Sequence, residues 1–599
     1  MKKNDWILLT TAGLYSYLFY GQVAGVNFVI FTFALCSALL LQNKELLKNK
    51  LWLIAAAGSL LSALCTGYYG NTLSVIANVI SLSLLSGMSI PKNSSLLFTL
   101  LFSFYSYAGS LLFILIERID KREERTENPK IGFKKITLLL IPFLITLLFF
   151  FMYRSSNILF NDLAKKINLD FISMNWITFT LGGFILLYGF FHHRKITMLS
   201  RFDEKSVNCL DPGNTNTISL FGKKLSISEE DFSGKALFIM LNLLLLVVNG
   251  LDLNFLFVDG KLPKELTFSE FVHQGTGMLI TSIIVAIAVI LFYFRGALNF
   301  YKSNTTLKWL AYLWIFQNIL ILSSTVMRNE IYIHSYGLTH KRIGVYVYLL
   351  LSAIGLITTW IKIGGKRSNM YLFRVNSWLF YGILVISCFF NWDNIITVFN
   401  INKAGQLDKN YLISLSNTNL PLLYKLKQDS THKHKEFTMG QDELSYADVN
   451  TRNGNTGFDF EKYLNIKLFF YVHHGEELGW KSWYYNASAI NTELQKLNAC
   501  NTVYKLDLGA TGLTTLAGIK NFKALKKLNL DNNSLNSLSG IEALTNLEEL
   551  ELSENSITDF SPIYALRKLK ILNITHATPE QVKALQNHLP NTKINYTNA

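Results

Sequence analysis

Residues 236–256 read ALFIMLNLLLLVVNGLDLNFL. As a helix this run, whose one ionisable side chain is Asp252, is about 30 Å long, the thickness of a bilayer's hydrocarbon core. Runs of comparable character recur through the first two thirds of the chain: 94–116, 136–153, 273–294, 309–326, 344–361 and 373–391. Weaker ones, shortened or interrupted by glycine, are 6–20, 25–41, 51–68, 71–90 and 176–191. Open backbone cannot face lipid, so the expectation is an α-helical polytopic membrane bundle of about 12 spans over residues 1–391. A wholly soluble reading would need a dozen core helices almost without polar faces.

Composition agrees. Only 16% of the 599 residues are charged and 50% are hydrophobic, with a mean hydropathy of +0.26. That excludes disordered and collagen-like chains. Five cysteines without a paired motif exclude a disulfide scaffold. The run from Trp6 follows Lys2 and Lys3 but lacks a small-residue cleavage site, so it reads as a first span rather than a signal peptide. A net charge of +15 does not imply nucleic acid, because basic residues commonly flank membrane spans.

Their distribution orients the bundle. Loops 117–135, 192–235, 295–308 and 362–374 hold 21 Lys and Arg, against 8 in the alternate loops 154–175, 257–272 and 327–343. Cytoplasmic loops are the basic ones. The expected location is therefore the cytoplasmic (inner) membrane, with everything after Asn391 extracytoplasmic. A strict twelve-span count leaves Lys2, Lys3, Lys44, Lys48 and Lys50 outside, against the same rule. One upstream span is thus overcounted, and the side of the N-terminus stays open.

Beyond Asn391 the chain turns polar. Residues 392–500 lack a sustained period and read as a small helical linker domain. Residues 501–599 repeat: Leu506, Leu528, Leu550 and Leu572 are spaced by 22, each followed two residues later by Leu508, Leu530, Leu552 or Ile574. Further ladders run Leu513, Leu535, Ile557 and Leu516, Leu538, Phe560, and Asn533 and Asn555 hold one turn position. This is the leucine-rich-repeat pattern LxLxxNxL, an α/β solenoid of stacked parallel strands. Thr578-Pro579-Glu580-Gln581 fits a helix capping box that opens a closing helix.

Residues between the leucines point away from the core, so Asp507, Asn529, Glu551 and Asn573 form one column, with Lys505, Lys527, Glu549 and Ile571 beside it. Mixed charge suits a protein or peptide partner better than a nucleic acid. The alternative is an array that merely caps the linker domain.

At Tyr336-Gly337-Leu338-Thr339-His340-Lys341-Arg342 the chain resembles bacterial polytopic proteins grouped as domain of unknown function 4173. Three further stretches agree: Glu270-Phe271-Val272-His273-Gln274-Gly275; Asn391-Trp392-Asp393 leading through Asn400 to Asp408, Tyr411-Leu412, Leu415-Ser416 and Leu420-Pro421; and Trp480-Lys481-Ser482-Trp483. The resemblance covers roughly residues 5–500, leaves the repeats as an added module, and implies no activity.

No nucleotide, hydrolase, metalloprotease or EF-hand motif is present, and neither a catalytic residue nor a cofactor or metal is assigned. His473-His474-Gly475-Glu476-Glu477 could offer zinc ligands, but adjacent histidines seldom face one metal. Lys-rich Thr431-His432-Lys433-His434-Lys435 reads as solvated surface. The charge count gathers Glu270, His273, Arg328, Glu330, His334, His340 and Arg342 at the outer end of the bundle, with Asp252 nearby. The bland reading is side chains snorkelling to water; the sharper one is a binding pocket or proton-linked path. Three functions stay open: a membrane anchor displaying the repeats, a transporter or channel entered through the polar cluster, and a membrane enzyme acting on a lipid-linked substrate.

Overall fold

Residues 236–254 of the apolar run 236–256 lie within one 28-residue helix, Ile227–Asn254, in a computed structural model of the chain. The structure describes residues 3–90, 94–114, scattered positions from 142 to 160, 173–212, 219–220, 223–224, 226–254, 268–403, 406–428, 435–436, 459–477 and 479–598. Side chains at 268–280 are not among them. The expected span 136–153 and the basic stretch 431–434 fall largely or wholly outside.

The helices in order are α1 (Lys3–Phe19), α2 (Val26–Gln42), α3 (Lys50–Tyr69), α4 (Thr72–Gly87), α5 (Leu96–Ala108), α6 (Met174–Phe191), α7 (Thr197–Lys205), α8 (Ile227–Asn254), α9 (Phe268–Tyr293), α10 (Thr305–Tyr336), α11 (His340–Gly364) and α12 (Asn369–Ser387). Among the described residues six of these are long and apolar enough to cross a bilayer: α3, α6, α8, α10, α11 and α12. The apolar helices α2, α4 and α5 are shorter, as is the described apolar part of α9. Within the expected span 94–116, α5 ends after 13 residues at Gly109 and helix resumes over 110–114. The chain is thus a mostly helical multi-pass membrane protein.

Two compact units divide it. The first comprises Met1–Ser206, Ser377–Phe389 and Trp480–Tyr484. Its helices meet through small residues, as membrane helices do where close backbone approach replaces the hydrophobic effect. Gly58 on α3 leaves room for the Tyr381 ring, whose hydroxyl donates to Ser81 at 2.9 Å. Asn78 on α4 donates to the Ser59 carbonyl (2.9 Å) and to Thr32 Oγ1 (3.1 Å), joining three helices.

The second unit comprises Val207–Asn376, Phe390–Gly479 and Tyr485–Ala599. Its C-terminal part adds α13 (Trp392–Lys403), α14 (Lys409–Ser414), α15 (Leu420–Gln428), α16 (Phe460–Glu477), α17 (Tyr485–Lys496), and α18 (Pro579–His588). It also holds a five-stranded parallel sheet: β1 (Lys505–Asp507), β2 (Lys527–Asn529), β3 (Glu549–Glu551), β4 (Ile571–Ala577) and β5 (Lys593–Asn598), paired in that order. Register is constant, Leu506 facing Leu528, Leu528 facing Leu550, and Leu550 facing Leu572. One continuous core runs from Ile333 and Leu338, at the α10–α11 turn, through Leu412, Leu464 and Phe469 to the ladder leucines and Leu589. The capping box at Thr578 is formed and Pro579 opens α18.

Candidate functional site

Helices α8 and α10 run parallel, and their polar contacts repeat every seven residues at one offset. Lys235 Nζ donates to the Ser303 carbonyl (3.1 Å), Asn242 Nδ2 to Leu310 (3.0 Å) and Asn249 Nδ2 to Gln317 (3.2 Å). Gln317 Nε2 returns a bond to Asn242 Oδ1 at 2.7 Å. A seven-residue period is what keeps one face of a helix on a partner in left-handed packing. The seam ends in charge: Arg328 pairs with Asp252, and Ser324 Oγ donates to the same carboxylate at 2.6 Å. Both charged residues are buried, at 7% and 8% exposure. Desolvated charge survives only when paired and hydrogen-bonded, which this geometry supplies.

Glu330, His334 and Arg342, three other described members of the outer cluster in α10 and α11, go elsewhere. Glu330 and His334 lie 3.9 Å apart on one exposed face of α10. Arg342 lies 4.1 Å from the centre of the Tyr332 ring and donates to the carbonyls of Tyr336 (2.9 Å) and Gly337. It closes the α10–α11 turn. The side chains of Glu270 and His273 lie outside the described residues.

A denser network sits where α11 begins, and the stretches singled out in the sequence build it. Gly337 takes φ +82°, which glycine tolerates without strain, and a Cβ there would meet the Asn400 amide at 2.8 Å. Asn400 accepts from the Leu338 N–H (2.5 Å) and donates to the Leu338 carbonyl (2.9 Å). Thr339 caps α11. The His340 N–H donates to the Tyr411 hydroxyl (2.8 Å) and its ring Nε2 meets Asp393 Oδ1 at 2.6 Å. Asp393 Oδ2 also accepts from the Ser416 N–H at 3.1 Å. Burial alone would raise the Asp393 carboxyl, but the His340 and Ser416 donors outweigh it and hold it below the usual range.

Behind that loop Lys467 of α16 donates to the carbonyls of Ile413 (2.9 Å), Leu415 (2.7 Å) and Ser416 (3.2 Å), and to Asn419 Oδ1 (3.1 Å). Burial pushes its ammonium down to about 8. Period-based reading found neither this lysine nor the α8–α10 seam. The seam did leave a signal, since Asn242 and Asn249 interrupt an apolar run at a spacing of seven.

On the sheet, both columns are aligned: Lys505, Lys527, Glu549 and Ile571 face one another in succession, as do Asp507, Asn529, Glu551 and Asn573. Asn529 donates to Asp507 (2.9 Å), Asn573 bonds Glu551, and Lys527 pairs with Glu549 at 2.6 Å. Asp507 is also gripped by Lys462 of α16 at 2.7 Å. Burial raises that carboxyl, but the lysine more than compensates and lowers it.

The turn asparagines are spent on backbone. Asn533 accepts from the N–H groups of Thr511 and Leu513 and donates to the carbonyls of Leu508 and Leu530; Asn555 repeats the pattern one turn on. His473 and Glu476 are occupied as well, bonding Ala517 O and the Gly518 N–H. Among the described residues no three His, Cys, Asp or Glu side chains come together as a metal site.

No curated protein matches the chain. The family model that does match is described as a domain of unknown function, DUF4153, and covers residues 8–426. It replaces the family number suggested by the motif resemblance, and it spans the membrane helices and the His340–Asp393–Asn400 network while stopping short of the sheet. With most of its length so matched, the chain belongs to the DUF4153 family of uncharacterised proteins.

Proposed function

We propose that this chain is an integral membrane protein of three parts: a polytopic domain of residues 1–391, a linker domain of 392–500, and a leucine-rich-repeat module of 501–599. In this reading the module is displayed outside the cytoplasmic membrane to hold a protein or peptide. The observation that carries it is the pair of columns: side chains 22 residues apart stand in register across successive strands, exposed or half-buried, while the leucines between them are buried. Solenoids use such a surface to bind. The excess of basic residues in alternate loops supports an extracytoplasmic module.

A photo-crosslinking residue at Lys505, Asn529 or Asn573 is expected to capture one common protein in cells, and Lys568, in the turn outside the columns, is not. Replacing Asp507 with Asn and Glu551 with Gln keeps their hydrogen-bonding shape and removes their charge. Capture that survives these changes, or that differs from column to column, would point to another face.

A transporter is the second reading, and the buried Asp252–Arg328 pair favours it, since ionisable residues inside spans often mark substrate or proton paths. Glu270, His273, Arg328, Glu330, His334 and Arg342 would then flank its entrance. Loss of a proton-coupled flux from vesicles on Asp252→Asn, with the protein still folded, would support it.

A further inference from the structure

Residues 480–484 belong to the first compact unit, far in sequence from the helices they touch. The Trp483 carbonyl accepts from the Val26 N–H at 2.8 Å, satisfying a donor that the first turn of α2 leaves open. Ser482 Oγ accepts from the Val23 N–H (3.0 Å) and donates to Gln22 Oε1 (2.8 Å). Lys481 Nζ donates to the Tyr17 carbonyl (2.7 Å) and lies 3.6 Å from the centre of the Tyr17 ring. Two glycines admit this approach: a Cβ on Gly25 would meet the Trp483 carbonyl at 2.5 Å, and one on Gly70 the Tyr484 ring at 2.9 Å.

The strap therefore lies across the N-terminus of α2 and the C-terminus of α3, at the ends of two apolar helices. Its polar atoms are turned to those helix ends. Its two indoles are turned outward, Trp480 at 56% and Trp483 at 47% exposure, and the Tyr17 ring held by Lys481 is 57% exposed. Tryptophan and tyrosine concentrate at membrane–water interfaces because an apolar ring with a polar edge suits both media.

We propose that residues 480–484 form an interfacial anchor whose Trp480 and Trp483 rings lie in the lipid headgroup layer. A segment from the polar third of the chain is thereby fixed to the bilayer without crossing it. The occupant is lipid because the exposed rings stand at the ends of apolar helices, α2 and α3, with the exposed Tyr17 ring held by the same strap.

The test uses the full chain labelled with 5-fluorotryptophan in nanodiscs of phosphatidylcholine and phosphatidylglycerol. Trp480→Phe and Trp483→Phe assign the two fluorine lines, so the measurement is made on otherwise unaltered protein. A headgroup spin-labelled lipid is expected to remove both lines, more effectively than a label at the chain terminus or a soluble gadolinium chelate. Stronger loss with the chelate places the rings in water, and survival of both lines with every agent places them under protein; either result overturns the anchor.

Discussion

Asn533 and Asn555 each satisfy backbone groups of two successive turns, so they behave as structural side chains despite their polarity. Leaving a buried backbone group unpaired costs about 1–3 kcal/mol. Asn555→Ala is accordingly expected to weaken the sheet by about 2 kcal/mol or more, read as lost hydrogen-exchange protection in 527–552, with Leu506 and its neighbours less affected. Protection unchanged at Leu530 and Leu535 would contradict the bonding described.

Lys467 gives a pH dependence of definite sign. Its folded value of about 8 lies below the ordinary 10.5, so between the two the unfolded chain holds the extra proton and stability rises with pH. Below about 8 both states are charged and the desolvation cost is fully present. Thermal unfolding of the chain should therefore gain on that of Lys467→Met between those limits; parallel curves would mean that the four acceptors already compensate burial.

The repeat asparagines were legible because a 22-residue period exposes them. Lys467 was not, since nothing in the sequence around one lysine among 56 basic residues says that three carbonyls and an amide will enclose it.

At the scale of elements, the α8–α10 seam adds a row of amides to an apolar contact that includes Phe238 and Trp314. Such bonds in membranes contribute roughly 0.6 kcal/mol on average and up to about 1.7. Asn242→Leu and Gln317→Leu should therefore be non-additive by an amount in that range, measured as helix-pair unfolding in a bicelle. The buried ion pair is different. Removing only Asp252 or only Arg328 strands a charge and is expected to cost about 3–5 kcal/mol, whereas a double apolar replacement should recover much of it. If the double variant is no better than the worse single one, the pair is not coupled as the geometry requires.

Helix positions were legible from hydropathy, as every expected span within the described residues coincides with a helix. Helix lengths were less so. Within the run 94–116, α5 ends at Gly109 and helix resumes at Ser110, a break that hydropathy does not mark. In the outer cluster, a charge count places Glu330, His334 and Arg342 together, whereas their partners among the described residues are set by local geometry.

For the whole molecule, the strap bears on the orientation that loop charges left open. Because residues 480–484 touch both the α1–α2 turn and the C-terminus of α3, those two ends share the side of the strap. If that side is extracytoplasmic, Lys44, Lys48 and Lys50 fall inside, in accord with the basic-loop rule, and the overcount lies between α4 and α6. Reporter fusions after Gln22, Asn410 and Tyr596 are expected to report outside, and a fusion after Asn43 inside. A fusion after Asn43 that reports outside would separate the strap from the topology proposed for it.

The α8–α10 seam also governs sliding. Backbone carbonyls recur along α10 like evenly spaced teeth, so displacing α8 by one heptad, about 10 Å, would still offer acceptors to Asn242 and Asn249. Amides alone would tolerate that slip. It would set Arg328 against Leu245 and carry Asp252 past Arg328 towards Ile331 and Ser335, separating two opposite charges at a cost of several kcal/mol. The buried pair thus works as a detent: it adds little to how tightly the two helices hold, and it decides at which notch they stop.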